Sequence, residues 1–300
     1  MDGTEYSKLL LGAYDCHVHA APDVVPRAQD WLELGEAAQA AGLAGMVLKD
    51  HTGSTAGQAQ LLNRIFPDGP RFFGSLTLNP PVGGLNPHAV AAALRLGAVV
   101  IFFPTYAAKC QIDRMGVDGF PEPFPWARTA EAGIGILNTE GELKPEVLDI
   151  LRLIAQHDAV LATGHLSPPE TLALLEQAAR EDVRRMIVTH ASEPVPNMSV
   201  EDQQRAVQQG ALIEHCLMAL TDSCGRFISA PEMIQQIRHI GIEHIVLSSD
   251  FGQAANGPPL AACTRYLHDL VDHGLDPADI QTMLTTNPAR LLAGANNLQI

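Results

Sequence analysis

Three hundred residues, 46% hydrophobic and 18% charged, can bury a substantial core, and a formal charge of −15 argues against a surface built to hold phosphate backbones. No apolar stretch is long enough to span a bilayer, and the acidic start MDGTEYSKLLLGAYD does not resemble a secretory leader. The five cysteines, at 16, 110, 216, 224 and 263, form no CxxC pair, which suits reduced thiols and a cytoplasmic setting better than a disulfide framework.

From its start the chain alternates short apolar runs with amphipathic helical patterns. The first run, LGAYDCHVH (11–19), ends in two histidines. Side chains two apart on a strand share a face, so His17 and His19 are expected to project together, with Asp15 one layer below and Cys16 and Val18 facing away. The helical pattern WLELGEAAQAAG follows, then GMVLKDH (45–51), AGQAQLLNRIF, FFGSLTLN (72–79), PHAVAAALRL and AVVIFFPT (98–105). A long segment, 106–144, comes before the next helix; it carries GFPEPFPW (119–126) and a hairpin-like GIGILNTEGELKP (133–145). The alternation resumes with PEVLDILRLIAQH, AVLATGH (159–165), PPETLALLEQAAR, RMIVTH (185–190) and VEDQQRAVQQG. It ends with ALIEHC (211–216), PEMIQQIRHIG, HIVLSSD (244–250) and PLAACTRYLHDLVDHG. SPPE and SVED supply N-cap residues and early acids for two of the helices.

Eight strand–helix units predict a single (β/α)8 barrel domain over residues 1–300. A doubly wound sheet is the competitor, but no GxGxxG follows the first strand. The 106–144 segment exceeds an ordinary βα loop and is expected to serve as a lid or an oligomer contact.

In such a barrel, chemistry gathers at the C-terminal strand ends. Of the twelve histidines, those at 17, 19, 51, 165, 190 and 215 fall at or beside these ends; the other six lie on helices or at strand starts. Lys49 and His51 end the second run, His165 the fifth, His190 the sixth and Asp250 the eighth, while the seventh offers Glu214 and His215 without a settled direction. Nitrogen and oxygen donors converging on one rim suit a divalent ion such as Zn2+, Mn2+ or Fe2+.

HxH on strand one, His on strands five and six and Asp on strand eight resemble the metal signature of the amidohydrolase superfamily. TTNPARLLA (285–293) resembles that superfamily's terminal helix. The resemblance covers essentially the whole chain. It implies one or two divalent ions, with zinc foremost and manganese, iron or cobalt as alternatives, bound by His17, His19, His165, His190 and Asp250. Only about ten residues precede strand one, leaving no room for the small β-sandwich of many members. That places the chain nearer the compact branches, among them lactonases, TatD-like nucleases and metal-dependent decarboxylases. Two-metal members bridge their ions with a carboxylated lysine or a glutamate on strand four or nearby on strand three; strand four here ends in FFPT and offers neither. Lys49 is therefore a bridging carbamate, a charged group for substrate or oxyanion, or structural, and Glu140 and Glu142 would be ligands only if 133–145 were not a hairpin.

The function implied is hydrolysis of a C–N or C–O bond in a small amide, cyclic amide, lactone or ester by a metal-activated water. Asp250 would be the general base, with His190 and Lys49 as further catalytic groups. His51, Arg27 and Tyr106 are expected on the substrate side, with Lys109 a weaker candidate. The alternative is a mononuclear decarboxylase or lyase on the same scaffold, with His190 released for acid–base work. A non-enzymatic scaffold is the third reading, and the charge disfavours a nuclease. The expected partner is a small molecule, without nucleic acid or membrane, in a homo-oligomer.

Overall fold

A computed structural model describes residues 8–116, 133–224 and 226–294. Eight parallel strands follow one another around a single sheet in chain order. They are β1 (Tyr14–Val18), β2 (Gly45–Leu48), β3 (Arg71–Thr77), β4 (Ala98–Phe102), β5 (Val160–Ala162), β6 (Arg185–Val188), β7 (Ala211–Cys216) and β8 (Ile245–Ser248). A parallel bridge between Val18 and Phe251 closes the circle. Two hydrogen bonds reinforce that seam, from Asp250 N to His17 O and from His19 N to Phe251 O, each 2.8 Å. The expected (β/α)8 barrel is the observed one.

The helices around it are α1 (Trp31–Ala41), α2 (Ala56–Ile65), α3 (Pro87–Arg95), α4 (Lys109–Met115), α5 (Pro145–Gln156) and α6 (Pro168–Arg180). They continue with α7 (Val200–Gln208), α8 (Ala230–Ile240), α9 (Pro259–Asp272), α10 (Pro277–Gln281) and α11 (Asn287–Leu292). Reciprocal capping boxes start α1, α6 and α8, where Asp30, Ser167 and Ser229 each face a glutamate three residues on. Ser199 caps α7. Among the described residues no helix is long and apolar enough to cross a membrane.

Two apolar layers hold the barrel. Strand residues such as Leu48, Ile101, Leu161, Val188, Ile213 and Leu247 pack outward with helix residues including Leu34, Ile150, Leu175 and Leu267. Cys16, Val47, Phe102, Val160, Ile187, Leu212 and Val246 fill the interior, joined by Leu291 and Leu292 of α11. The Asn287 side chain anchors that helix by donating to the carbonyls of Ile242 and Ile245, both at 2.7 Å.

Cys16 corrects the simple alternation expected for β1. The pairing of β1 with β2 shifts register between Asp15 and Val18. An extra residue in a strand reverses which side chains face inward. Cys16 therefore joins the interior, and Asp15 lies outside, beside Leu10, Leu43, Leu260 and Cys263.

Several strands also end earlier than their apolar runs suggest. The segments after β5, β6 and β8 turn through left-handed backbone at Gly164 (φ 62°), His190 (φ 29°) and Asp250 (φ 51°), which no strand accommodates. In the long segment after β4, α4 forms first, and Leu137 and Leu143 then pair across an antiparallel bridge, so the hairpin reading holds. Glu140 and Glu142 are exposed on it, away from the barrel mouth. GFPEPFPW (119–126) lies outside the described residues.

Candidate functional site

His17 Nε2 lies 3.0 Å and His19 Nε2 3.2 Å from the same oxygen, Asp250 Oδ1. The seam between β1 and β8 creates this meeting, because its backbone hydrogen bonds hold residue 250 against residues 17 and 19. Asp15 supports it from outside: its Oδ1 accepts from His17 N at 3.1 Å and from Ser249 N at 3.0 Å.

Behind this trio, His17 Nδ1 lies 3.2 Å from Glu214 Oε2, which also accepts from His190 N at 3.1 Å. Glu214 thus points inward, which the sequence left unsettled. Lys49 Nζ reaches His17 Nε2 at 2.8 Å and is 1% exposed. His190 lies in the same mouth, with its ring centroid 5.8 Å from that of His17. Beyond it sits Glu193, within the THASE stretch but not singled out by strand-end reasoning, because its loop turns it back into the mouth. Its Oε2 is 3.8 Å from His190 Nδ1.

His165 stands slightly apart. Its ring is 4.7 Å from that of His190, but its Nδ1 is engaged by Gln111 Oε1 at 2.7 Å. It belongs to none of the described groups of three in which all donor atoms come within 4.8 Å of one another. Those groups are His17–His19–Asp250, His190–Glu193–Asp250 and, deeper, His17–Glu214–Cys216. Gln111, on α4, carried no spacing signal.

His51 stacks on His19 (4.8 Å between ring centroids) and meets Tyr106 edge-on (4.5 Å). Its Nδ1 is 3.0 Å from Thr105 Oγ1, which accepts from Asn79 Nδ2 at 2.7 Å. The apparently featureless ends of β3 and β4 thus orient His51. Arg27 reaches the mouth, but its guanidinium is already paired with Asp23 Oδ2 at 2.7 Å. Lys109 is not part of the site: it is exposed and pairs with Asp113 at 2.6 Å.

The residues enclose a cavity of about 380 Å³. One wall is polar, with His19, Lys49, His51, His165, His190, Glu193 and Asp250; the other carries Met115, Val195, Met218 and Phe227. That volume fits a small organic molecule.

Burial dominates the titration of the mouth. It pushes His19, His51 and His165 well below the ordinary imidazole range and brings His190 down to about 4. These rings are neutral at pH 7, the form that binds a metal. For His17, burial is outweighed by Asp250 and Glu214, which raise its pKa. Burial also opposes the charge on Asp250, yet neighbouring His17 keeps its carboxyl well below the usual range. Glu193 is pushed well above that range, by burial first and then by Asp250 and Glu214. Burial lowers Lys49 against the pull of the same two carboxylates.

The donor set fits a borderline divalent cation: imidazole nitrogens and an ionised carboxylate converge in a buried pocket. The buried atoms His19 Nδ1, His190 Nδ1 and Glu193 Oε1 have no hydrogen-bond partner among the described residues.

Solved structures share this barrel across nearly their whole length. An amidohydrolase from Pseudomonas aeruginosa matches with a TM-score of 0.65 at 11% identity, covering 98% of this chain and 99% of the other. A substituted organophosphorus hydrolase from Deinococcus radiodurans gives 0.59 at 14% identity, covering 94% and 93%. A 2,6-dihydroxybenzoate decarboxylase from Rhizobium gives 0.53 at 14%, covering 94% and 98%. The likeness to amidohydrolase-superfamily barrels is thus borne out in the fold. The chain belongs to DUF6282, a family of unknown function whose model matches residues 12–214. No curated protein is similar to it in sequence.

Proposed function

We propose that this protein is a metal-dependent hydrolase that cleaves a C–N or C–O bond of a small amide, cyclic amide, lactone or ester. The observation that carries the reading is the convergence of His17 Nε2 and His19 Nε2 on Asp250 Oδ1. These three residues would hold the ion, with His190 and His165 beside them. When bound, a divalent ion, zinc foremost, supplies Lewis acidity that lowers the pKa of a nearby water and polarises a carbonyl.

Asp250 stays ionised through the neutral range, so its carboxylate takes the proton of the attacking water and passes it to the leaving nitrogen or oxygen. Lys49, beside His17 and Asp250, neutralises part of the carboxylate charge and faces the cavity as a donor to substrate oxygen. His51 and Tyr106 form the side wall against which a substrate is oriented, and Arg27 presents a guanidinium already aligned by Asp23. The Met115–Val195–Met218–Phe227 wall excludes water from the apolar end of the substrate.

One observation favours the second reading, a mononuclear decarboxylase. The end of β4 supplies no bridging carboxylate, and Thr105 there is spent on Asn79 and His51. Product analysis on the zinc- or manganese-loaded protein separates the two, using lactones, esters and cyclic amides alongside aromatic carboxylic acids. A new acid with an amine or alcohol supports hydrolysis; CO2 release without it supports the lyase, and neither product from any compound contradicts both.

A further inference from the structure

Resting on the metal reading above and deepening it, we propose that His190, Glu193 and Asp250 form a second cation subsite, sharing Asp250 with the His17–His19–Asp250 site. The carboxylate that β4 fails to provide comes instead from the loop after β6.

The three donor atoms lie within 4.8 Å of one another, and His190 Nδ1 is 3.8 Å from Glu193 Oε2. Both side chains line the cavity. They are only 2% and 7% exposed, yet His190 Nδ1 and Glu193 Oε1 find no hydrogen-bond partner among the described residues. Unpartnered buried polar atoms are costly, and a cation held between His190, Glu193 and Asp250 would relieve the two that lack partners.

The loop is constructed to present them. Glu193 N donates to His190 O at 3.0 Å, and Asn197 N donates to Glu193 O at 2.7 Å. His190 is held in left-handed backbone (φ 29°) while its N–H donates to Glu214 Oε2. This tight turn places the ring and the carboxylate on the same side, facing Asp250. Charge points the same way. Asp250, Glu193 and Glu214 are three carboxylates in one buried mouth, with Lys49 the lysine among them. Lys49 contacts His17, so this subsite needs no modified lysine.

The test is Mn2+ titration of chelator-stripped protein, followed by calorimetry and by electron paramagnetic resonance, which distinguishes an exchange-coupled ion pair from an isolated ion. The wild type is expected to bind two Mn2+ with a coupled spectrum. Glu193→Gln is expected to keep one ion at unchanged affinity, with an isolated-ion spectrum and the second ion weakened at least a hundredfold. Two coupled ions in Glu193→Gln would overturn the proposal. A single ion in the wild type would overturn it and leave the first site standing, whereas no ion in the wild type would remove the metal reading itself. Should Glu193→Gln not fold, Glu193→Asp decides: a second ion weakened at least tenfold supports the subsite, and an unchanged one overturns it.

Discussion

Lys49 Nζ sits 2.8 Å from His17 Nε2, at the point where the two ends of the barrel seam meet. A lysine that is 1% exposed survives there because Asp250 and Glu214 stand close by. Removing one partner of a buried ionic cluster leaves the others uncompensated, at about 3 kcal/mol or more. Lys49→Met preserves most of the volume and loses the charge. Urea unfolding of the metal-free variant should therefore show a loss of about 3 kcal/mol, and the metal-loaded variant a smaller one. Equal stability of wild type and variant without metal would show that Lys49 does not balance these carboxylates.

The seam itself is testable at Gly252. A Cβ there would lie 2.2 Å from His19 O, and its φ of 138° is one that other residues rarely adopt. Gly252→Ala must shift the backbone between Asp250 and His19. We expect a stability loss of at least about 2 kcal/mol in chemical denaturation and a weaker metal affinity. Unchanged affinity would mean that the seam does not set the geometry of the trio.

Acid should reveal the buried histidines of the metal-free protein. His215 is 2.9 Å from Ser192 Oγ, and burial brings its pKa from 6.5 to about 4. The unfolded chain takes up that proton more readily than the fold. The contribution is therefore fully present above about 6.5 and lost as the pH falls toward about 4, on the order of 3 kcal/mol in all. Asp15 acts oppositely: burial raises it from 3.8 to about 6, so its contribution is present below 3.8 and lost as the pH rises through about 6. Between these limits the two offset. Urea midpoints from about pH 4 to 7 should show a shallower acid loss in His215→Asn and a steeper one in Asp15→Asn. Identical slopes in all three proteins would refute the assignment.

Chelation should lower the melting temperature. A ligand present at a hundredfold excess over its dissociation constant stabilises the fold by about 2.7 kcal/mol. Calorimetric scans with and without chelator are expected to separate for the wild type and to separate less for His17→Ala/His19→Ala. Coinciding scans for the wild type would show that no such ion is bound.

The parts of the site legible in the sequence are those that close an apolar run. His17 and Asp250 end runs whose apolar pattern announces a strand, and eight such runs imply a rim where they meet. Alternation misleads where a strand bulges, and it says nothing of side chains beyond the ends of the runs. The register shift in β1 turned Cys16 inward, and nothing in YDCHV marks a bulge. Glu193 lies three residues past His190, beyond a left-handed turn that alternation cannot describe. Gln111 reaches His165 from a short helix far away in the chain, a contact made only by tertiary packing. Asn79 and Thr105 looked inert because their work is to hold His51, through hydrogen bonds between neighbouring strand ends.

The most direct test of the account is elemental analysis of protein purified without chelators, beside the His17→Ala/His19→Ala variant. At least one equivalent of a divalent transition metal is expected in the wild type, with the loss of one equivalent from a variant that still folds. A wild type that carries no metal and takes up none on reconstitution, or a variant that retains the full amount, would contradict it.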